Sequence, residues 1–350
     1  MGGAVKRPTI ADIAKRAGVS TGAVSYALNG QPGVSEATRA RILAIAEEVG
    51  WQPNSAARAL SASRVNTVGL VVSRPASVLA IEPFFMQLIS GIEAALSQRG
   101  TALLLQVSPS HEAEITVHRR WWGERRVDGV ILIDLEVDDP RIDALAEMEM
   151  PAVAIGGPLG DDRISEVYSD EAAAMRILVD YLAALGHRRI AHVSGPKHLL
   201  HTRTRITACQ AAAERHGLEC ADSHETDYTG EAAARTTRDL LSASVRPTAI
   251  IYDNDVMAVA AVAVTQEMGL SIPQDISLAA WEDSPLCQLV HPPLTTLHRD
   301  VMAYGTHAAQ QLLATIEDGQ RRSFEDSASY LVPRGSTARP SDGARPLPTS

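Results

Sequence analysis

The 350-residue sequence is poor in aromatic residues, which make up 4% of it, and it holds only three cysteines, Cys209, Cys220 and Cys287. Their number is odd and their spacing fits no metal-ligand pattern, so buried, reduced thiols are expected. No run of about 18 apolar residues occurs, which excludes a helical membrane span. The opening MGGAVKRPTIADIAKR turns polar too early for a secretory signal, so the cytoplasm is the expected compartment. No glycine run leads into the Gly-Lys pair of a phosphate loop, and GGPLG is not the dinucleotide fingerprint. A G-x-S-x-G elbow, an H-E-x-x-H pair and a cysteine–histidine cluster are all missing. No cofactor, metal or catalytic residue is therefore nominated, and a hydrolase or dehydrogenase reading has no motif to carry it.

What the sequence does have is a 45% hydrophobic fraction and a formal net charge of −10. With mean hydropathy near zero, this describes a soluble, globular chain long enough for two or three domains. As a whole-chain figure, the acidic balance argues against nucleic acid, but the charge is unevenly spread. Residues 1–64 carry eight basic groups (Lys6, Arg7, Lys15, Arg16, Arg39, Arg41, Arg58, Arg64) against Asp12, Glu36, Glu47 and Glu48, a formal +4 that leaves −14 for the remainder. A cationic head on an anionic body is the asymmetry expected when one module touches an anionic polymer. An ordinary solvated surface of uneven charge would look the same by charge alone.

The head has more than charge. Thr9 is placed to cap a helix with Ile10, Ile13, Ala14 and Ala17 at helical spacing, and Pro8 prevents an earlier start. Gly18 follows, where a sharp turn needs positive φ. Ser20 caps a second short helix, TGAVSYALN, with Val24, Ala27 and Leu28 inward. Ser35 caps a third, from about Glu36 to Val49, which is expected to bury Ile42, Leu43, Ile45, Ala46 and Val49. Three such helices suit a helix-turn-helix, whose second helix enters the major groove with its N-terminal residues toward the bases. Thr21, Gly22, Ala23, Ser25 and Tyr26 point outward on it. Thr21 and Tyr26 can offer hydroxyls and apolar contact to base edges, while Ser20, Ser25 and Asn29 suit phosphate oxygens.

In order and spacing, TIADIAKRAGVSTGAVSYALNG followed by VSEATRARILAIAEEVGWQPNSAARALSASR resembles the DNA-binding head of the lactose-repressor (LacI) family of bacterial transcription factors. The resemblance implies a homodimer reading a palindromic operator in double-stranded DNA. It puts Thr21, Gly22 and Tyr26 at base-reading positions, with Thr9, Ser20, Ser25 and Asn29 around them. Ala23 departs from the family's usual threonine. SAARAL is too short to hold a helix alone in water; the resemblance makes it a hinge that orders on DNA beside its twin. There Leu60 matches a leucine that wedges into a minor-groove step. Ala57 allows close pairing, and Asn54 and Arg58 lie along the DNA backbone.

From Thr67 the apolar runs TVGLVV, TALLLQV, DGVILID, PAVAIGG, RIAHVSG, PTAIIYD and ISLAAWE alternate with helical stretches such as FFMQLISGIEAALSQRG and EAAAMRILVDYLAALGH. This pattern implies an α/β fold of parallel sheets covered on both faces. Its length favours two lobes, with ligand outside the carboxyl ends of the strands. HRRWWGERRVDG reads as packed tryptophans and surface arginines on one helix, and His187, Arg188 and Arg189 as solvated or structural. The resemblance continues to about residue 338 through LGHRRIAHVSGP, NDVMAVAAV, GLSIPQDISLAAWEDSP and HPPLTTLHRD. It implies a two-lobed core like that of periplasmic sugar-binding proteins, with crossovers placed near 164, 288 and 326. The expected domains are a head at 1–52, a hinge at 53–64, an effector-binding and dimerisation core at 65–335 and a disordered Pro-, Ser- and Gly-rich tail at 336–350.

For the cleft, the resemblance carries over Arg205, whose fixed donors suit vicinal hydroxyls, together with Asn254 and Glu282. Glu282 stands where the family usually has aspartate, and Ala280 replaces a glycine before it. The longer carboxylate either accepts from paired hydroxyls or pairs with Arg205. Phe84 and Trp281 are candidates for stacking on a sugar face. The expected function is a transcriptional regulator, a repressor, controlled by a small-molecule effector, a sugar. A sugar-binding protein without a regulatory role and a repressor with a non-sugar effector are the alternatives. If Leu60 is the wedge, Leu60→Ala is expected to lower binding to a palindromic operator far more than binding to random duplex. Fluorescence anisotropy on both DNAs checks this, and equal losses reject the wedge.

Overall fold

The computed structural model describes residues 8–51, 64–74, 76–160, 162–218 and 223–341. They divide into two compact units, one ending at Val65 and the other beginning at Asn66.

The first unit has three helices, α1 (Ile10–Ala17), α2 (Thr21–Leu28) and α3 (Glu36–Glu48). Each begins where a side chain satisfies an otherwise orphaned amide. The Thr9 hydroxyl accepts from the Asp12 amide at 3.3 Å, and the Asp12 carboxylate accepts from the Thr9 amide at 2.8 Å, which makes a reciprocal capping box. Ser20 and Ser35 accept from the amides of Ala23 and Thr38. Gly18 ends α1 at φ 67°, a left-handed turn that glycine adopts freely. Ile13, Ala14, Val24, Ala27, Ile42 and Ala46 close a small core. Leu43, expected inside, is 46% exposed. Ile42 and Ala46, one turn apart, hold the inward stripe of α3, and the next residue is rotated about 100° away from it. Arg39 closes the other end of α2, donating to the carbonyls of Ala27 at 2.8 Å and Gln31 at 2.6 Å.

The second unit runs β1 (Thr67–Val72), α4 (Ala76–Leu79), α5 (Pro83–Gln98), β2 (Ala102–Val107), α6 (His111–Gly123), β3 (Gly129–Leu132), α7 (Pro140–Glu147), β4 (Ala152–Ile155) and β5 (Ser165–Tyr168). It continues through α8 (Glu171–Leu185), β6 (Ile190–Ser194), α9 (Leu200–His216), β7 (Ser223–Glu225), α10 (Gly230–Ser242), β8 (Ala249–Tyr252), α11 (Asp255–Glu267) and β9 (Ser277–Trp281). The last elements are α12 (Pro285–Leu289), β10 (Thr295–His298), α13 (Val301–Asp318), β11 (Ser323–Glu325) and β12 (Tyr330–Val332). One six-stranded sheet has the order β11-β5-β4-β3-β1-β2 and the other β12-β10-β9-β8-β6-β7. Every pairing is parallel except β10 with β12. The inner strands are apolar on both faces because helices cover both.

The chain crosses between these two lobes at 169–170, 299–300 and 326–329. The first two crossings lie later than the 164 and 288 expected from the resemblance, because the polar strands β5 and β10 still belong to the lobe before each crossing. Their hydroxyls are buried but partnered: Ser165 bonds Thr315 at 2.8 Å and Thr295 bonds Thr337 at 2.8 Å. The tail is likewise packed beyond 335. Ser336 is fully buried and bonds the Thr295 amide and the Leu278 carbonyl. The His187 ring, also buried, reaches the Ala338 carbonyl at 2.9 Å. Residues 342–350 lie outside the described residues. Cys209 and Cys287 are buried and free, and Cys220 is outside the described residues. Trp121 is buried while Arg119 and Arg120 are exposed. Among the described residues no helix is long and apolar enough to cross a membrane.

The first lobe is clamped by α5 against α13, whose backbones touch at two glycines. A Cβ on Gly91 would stand 1.9 Å from the Met302 carbonyl oxygen, and one on Gly305 would stand 2.3 Å from that of Leu88. Neither obstacle is a flexible side-chain end, so Gly91→Ala must separate the helices. It is expected to cost about 1–3 kcal/mol or more in chemical denaturation. Gly123→Ala, where a Cβ meets nothing within 4 Å, should stay within about 0.5 kcal/mol of wild type.

Candidate functional site

In the first unit, α2 offers Thr21 and Gly22 at its exposed first turn and Tyr26, 49% exposed, one turn later. Ala23 and Ser25 are half-buried beside them. The first-turn amides of a helix are donors without intrahelical partners, and the helix dipole favours an anion there. Ser20 uses its oxygen as the cap, and a serine hydroxyl so engaged still has a proton to donate. Ser25 accepts from Asn29 at 3.4 Å, while the Thr9 proton goes to Asp12 at 2.6 Å. Asn54, Ala57, Arg58 and Leu60 lie outside the described residues.

In the second unit, residues just past the carboxyl ends of strands in both sheets line one cavity. It encloses about 630 Å³ of space free of atoms, part of it continuous with solvent. Arg74 follows β1, Asp134 follows β3, Asp253 and Asn254 follow β8, and Glu282 follows β9. Three arginines dominate it, each held between a carboxylate and an aromatic face. Arg74 grips Asp134 with two bonds of 2.8 and 2.9 Å and lies 4.7 Å from the Tyr228 ring centroid. Arg205 donates to Glu171 at 2.7 Å and to the Asp253 carbonyl at 3.2 Å, 3.8 Å over the Trp281 ring. Arg299 donates to the other Glu171 oxygen at 3.0 Å and to Glu282, 4.9 Å from the Tyr304 ring. Such stacking and fork geometry fixes a guanidinium plane as a lysine could not be fixed.

Arg205, Asn254, Glu282 and Phe84 line the cavity. Glu282 pairs with Arg299 rather than Arg205. Trp281 does not line it. Alternation along β9 turns Ala280 and Trp281 to opposite faces, and Trp281 packs in the core among Leu178, Val179 and Cys209. Asn254 caps α11 by accepting the Met257 amide at 2.8 Å; its amide nitrogen donates to the Tyr228 carbonyl at 3.2 Å and lies 3.5 Å from Glu82 of the other lobe. Backbone bonds also join the lobes: the Leu200 amide donates to Leu135 at 2.7 Å and the Val137 amide to His198 at 3.3 Å.

Arg74, Glu82, Asp134, Glu171, His201, Tyr228, Arg299 and Tyr304 line the cavity without having been nominated from the sequence. Position just past an apolar strand was the available signal for Arg74 and Asp134. No such signal marked Glu171 or Arg299, which belong to the lobe crossovers. Asp134, Tyr228 and Glu282 adopt positive φ of 51°, 67° and 67°. Strain of this kind, about 1–3 kcal/mol each, gathers at functional sites. Burial opposes ionisation of Asp134, yet the Arg74 charge holds its carboxyl well below the usual range. Burial likewise opposes Glu171, and Arg205 and Arg299 hold it down. Burial and the Arg205 charge push His201 down to about 4, leaving a neutral ring 2.7 Å from the Tyr228 hydroxyl. Glu82 goes the other way: burial pushes its carboxyl up to about 7.

A raised acid stabilises the fold when protonated. The Glu82 contribution is complete below about 4.5 and is lost as pH rises through about 7. Relative to Glu82→Gln, which cannot ionise, the wild-type protein is therefore expected to lose melting temperature between about pH 5 and about pH 8. Calorimetry of both proteins across that range checks it; a constant difference rejects the assignment.

Known proteins place both units. Residues 9–54 match the family of bacterial regulatory proteins, lacI family, and residues 179–337 match a periplasmic binding protein-like domain. The HTH-type transcriptional regulator CelR of Thermobifida fusca is 33% identical over 318 residues, covering 89% of this chain and 92% of its own. A solved CelR–cellobiose complex superimposes with a TM-score of 0.71 at 30% identity, covering 94% of this chain and 100% of that one. The Lac repressor dimer bound to operator and the anti-inducer ONPF gives a TM-score of 0.83 at 26% identity, covering 95% of this chain and 100% of that one. With 33% identity sustained over 89% of its length, the chain belongs to the LacI family of bacterial transcriptional regulators.

Proposed function

We propose that the protein is a homodimeric, sequence-specific DNA-binding repressor whose operator affinity is set by a sugar bound between the two lobes of its core. The observation that carries this reading is the arginine arrangement in the cleft. Guanidiniums fixed against aromatic rings present donors, and the carboxylates that hold them present acceptors, in set directions, which suits a rigid ligand carrying many hydroxyls. The relatives point the same way, one solved with cellobiose and another on its operator. On DNA, α2 lies in the major groove, Thr21, Gly22 and Tyr26 meet base edges, and the +4 head supplies phosphate contacts. A dimer is supported by exposed Met86 on α5 and exposed Leu105 and Val107 on β2, an edge strand. A twofold dimer matches a palindromic operator. The role belongs in the cytoplasm beside the chromosome and involves no turnover of the sugar.

The effector acts only through a difference in affinity between two lobe arrangements. Arg205, Asn254 and Glu282 read it from the second lobe, and Phe84 from the first. The test is anisotropy with the full chain on a palindromic operator near its own gene, with mono- and disaccharides added. Affinity is expected to fall steeply with salt, and Arg205→Ala is expected to keep DNA binding while losing the sugar response. Indifference to salt overturns the DNA-contact reading, and an intact sugar response in Arg205→Ala overturns the pocket reading.

A further inference from the structure

Strand β6 carries a polar residue inside the otherwise apolar run RIAHVSG. His192 is fully buried under the helices of the second lobe and does not line the cavity. In register it stands beside Ser223 of the edge strand β7 and Ile251 of β8, and Asp253 follows two residues beyond Ile251, on the same face. Both ring nitrogens are engaged: Nδ1 lies 2.8 Å from the Ser223 hydroxyl and Nε2 lies 2.9 Å from Asp253 Oδ1. Burial opposes the charge of Asp253, yet His192, Arg205 and the Gly195 amide hold its carboxyl well below the usual range. An ionised carboxylate only accepts, so Nε2 of His192 carries a proton, and in the neutral ring the Ser223 hydroxyl donates to Nδ1.

Two donors compete for Asp253 Oδ1. His192 holds it at 2.9 Å, and Arg205 Nη1 stays 3.5 Å away. Nη1 donates to the Asp253 carbonyl at 3.2 Å instead, Nε donates to Glu171 at 2.7 Å, and the guanidinium carbon lies 3.8 Å from the Trp281 ring centroid. Among the described residues Nη2 has no hydrogen-bond partner, so it is the donor that Arg205 keeps for a ligand. Without the His192 donor a buried anionic oxygen would lack a partner, which is costly. Arg205 Nη1, already close, would take that oxygen, and the guanidinium would leave its present plane over Trp281.

Building on the reading of the cleft as the effector site, we propose that His192 is a positioning residue of that site, which occupies Asp253 Oδ1 from outside the cavity and so fixes the direction in which Arg205 offers Nη2. A binding group is only as precise as the residues that hold it from behind. The chain Ser223–His192–Asp253–Arg205 runs from the edge of the sheet to the cavity wall. Ligand affinity thereby depends on a side chain that no ligand in the cavity touches.

The test reads Arg205 through Trp281, as the emission of the full chain minus that of the same chain with Trp281→Phe. His192→Leu is expected to change this contribution in the direction in which Arg205→Ala changes it, and to change it no further in the Arg205→Ala background. His192→Gln, whose amide nitrogen can still donate to Asp253, is expected to keep the wild-type contribution. A histidine that only supports the fold would lower the melting temperature and leave Trp281 alone. A wild-type contribution in His192→Leu, or a glutamine variant that behaves as the leucine one, overturns the proposal. Nitrogen-15 NMR of the wild-type histidines, with His192 assigned from His192→Gln, carries the test where His192→Leu does not fold: a proton on Nε2 is expected, and a proton on Nδ1 alone overturns it. Titration calorimetry with glucose and cellobiose reads the functional effect. A sugar bound by wild type is expected to bind roughly tenfold more weakly to His192→Leu and within roughly threefold of wild type to His192→Gln. Equal binding by wild type and His192→Leu overturns the proposal. Binding of neither sugar by wild type counts against the sugar reading alone, and Trp281 then decides the role of His192.

Discussion

Charges taken out of water must be paired, and the pairs formed around Glu171 hold the core of this protein together. Glu171 stands just past the first lobe crossover and Arg299 within the second. Arg299 donates to Glu171 and also to the Ser169 hydroxyl at 3.1 Å, so one guanidinium ties two of the three crossing chains. The third is joined nearby, where the Asp326 amide donates to the Tyr168 carbonyl at 2.7 Å. The other terminal nitrogen of Arg299 ends on Glu282 at the cavity wall, and Arg205 completes the cluster from α9. Any movement of one lobe on the other must reorganise this network. Any ligand in the cavity touches it as well. Hinge and pocket are one set of charges, which is how a small molecule can set the relation of the lobes.

The scarcity of aromatic residues takes on meaning here. Of the 14 in the chain, Phe84, Phe85, Tyr228, Trp281 and Tyr304 lie against the three cleft arginines. The aliphatic side chains that fill the sheets could not perform that service, because only a π face attracts a guanidinium while keeping it flat. Trp281, a candidate for stacking on sugar, instead backs Arg205 from the core side. The head, by comparison, is built almost without aromatics. Small apolar residues and three side-chain caps suffice for a short three-helix unit whose outer surface is its working part.

Much of this was legible in the sequence. Continuous apolar runs marked the inner strands, because a strand covered on both faces has no polar face to show. Caps and the turn glycine marked the helices of the head. The losses have physical causes. SEVY and TTLH do not stand out as apolar runs because Ser165, Thr295 and Thr296 are polar, and nothing in a local pattern tells that Thr315 and Thr337 await two of them inside. The first two crossovers, placed near 164 and 288 from the resemblance, lie beyond these two strands, next to Glu171 and Arg299. Leu43 was assigned inward because a 13-residue helix with apolar residues at 42, 43, 45 and 46 does not specify its own rotation. Glu82, in an unremarkable stretch before Pro83, carried no motif at all. The fold alone brings it to the cavity wall.

The placement of Glu82 and Glu282 on opposite sides of one cavity also bears on how a ligand could be felt at a distance. A ligand that touched one lobe only would bind open and closed arrangements equally, and such a ligand shifts no equilibrium however tightly it binds. Glu82 comes from the first lobe and Glu282 from the second, and both line one cavity, where Arg74 lies over Tyr228 and Leu200 bonds Leu135 across the seam. A ligand bonded to both would favour lobe arrangements that keep the two acids on one cavity over those that part them.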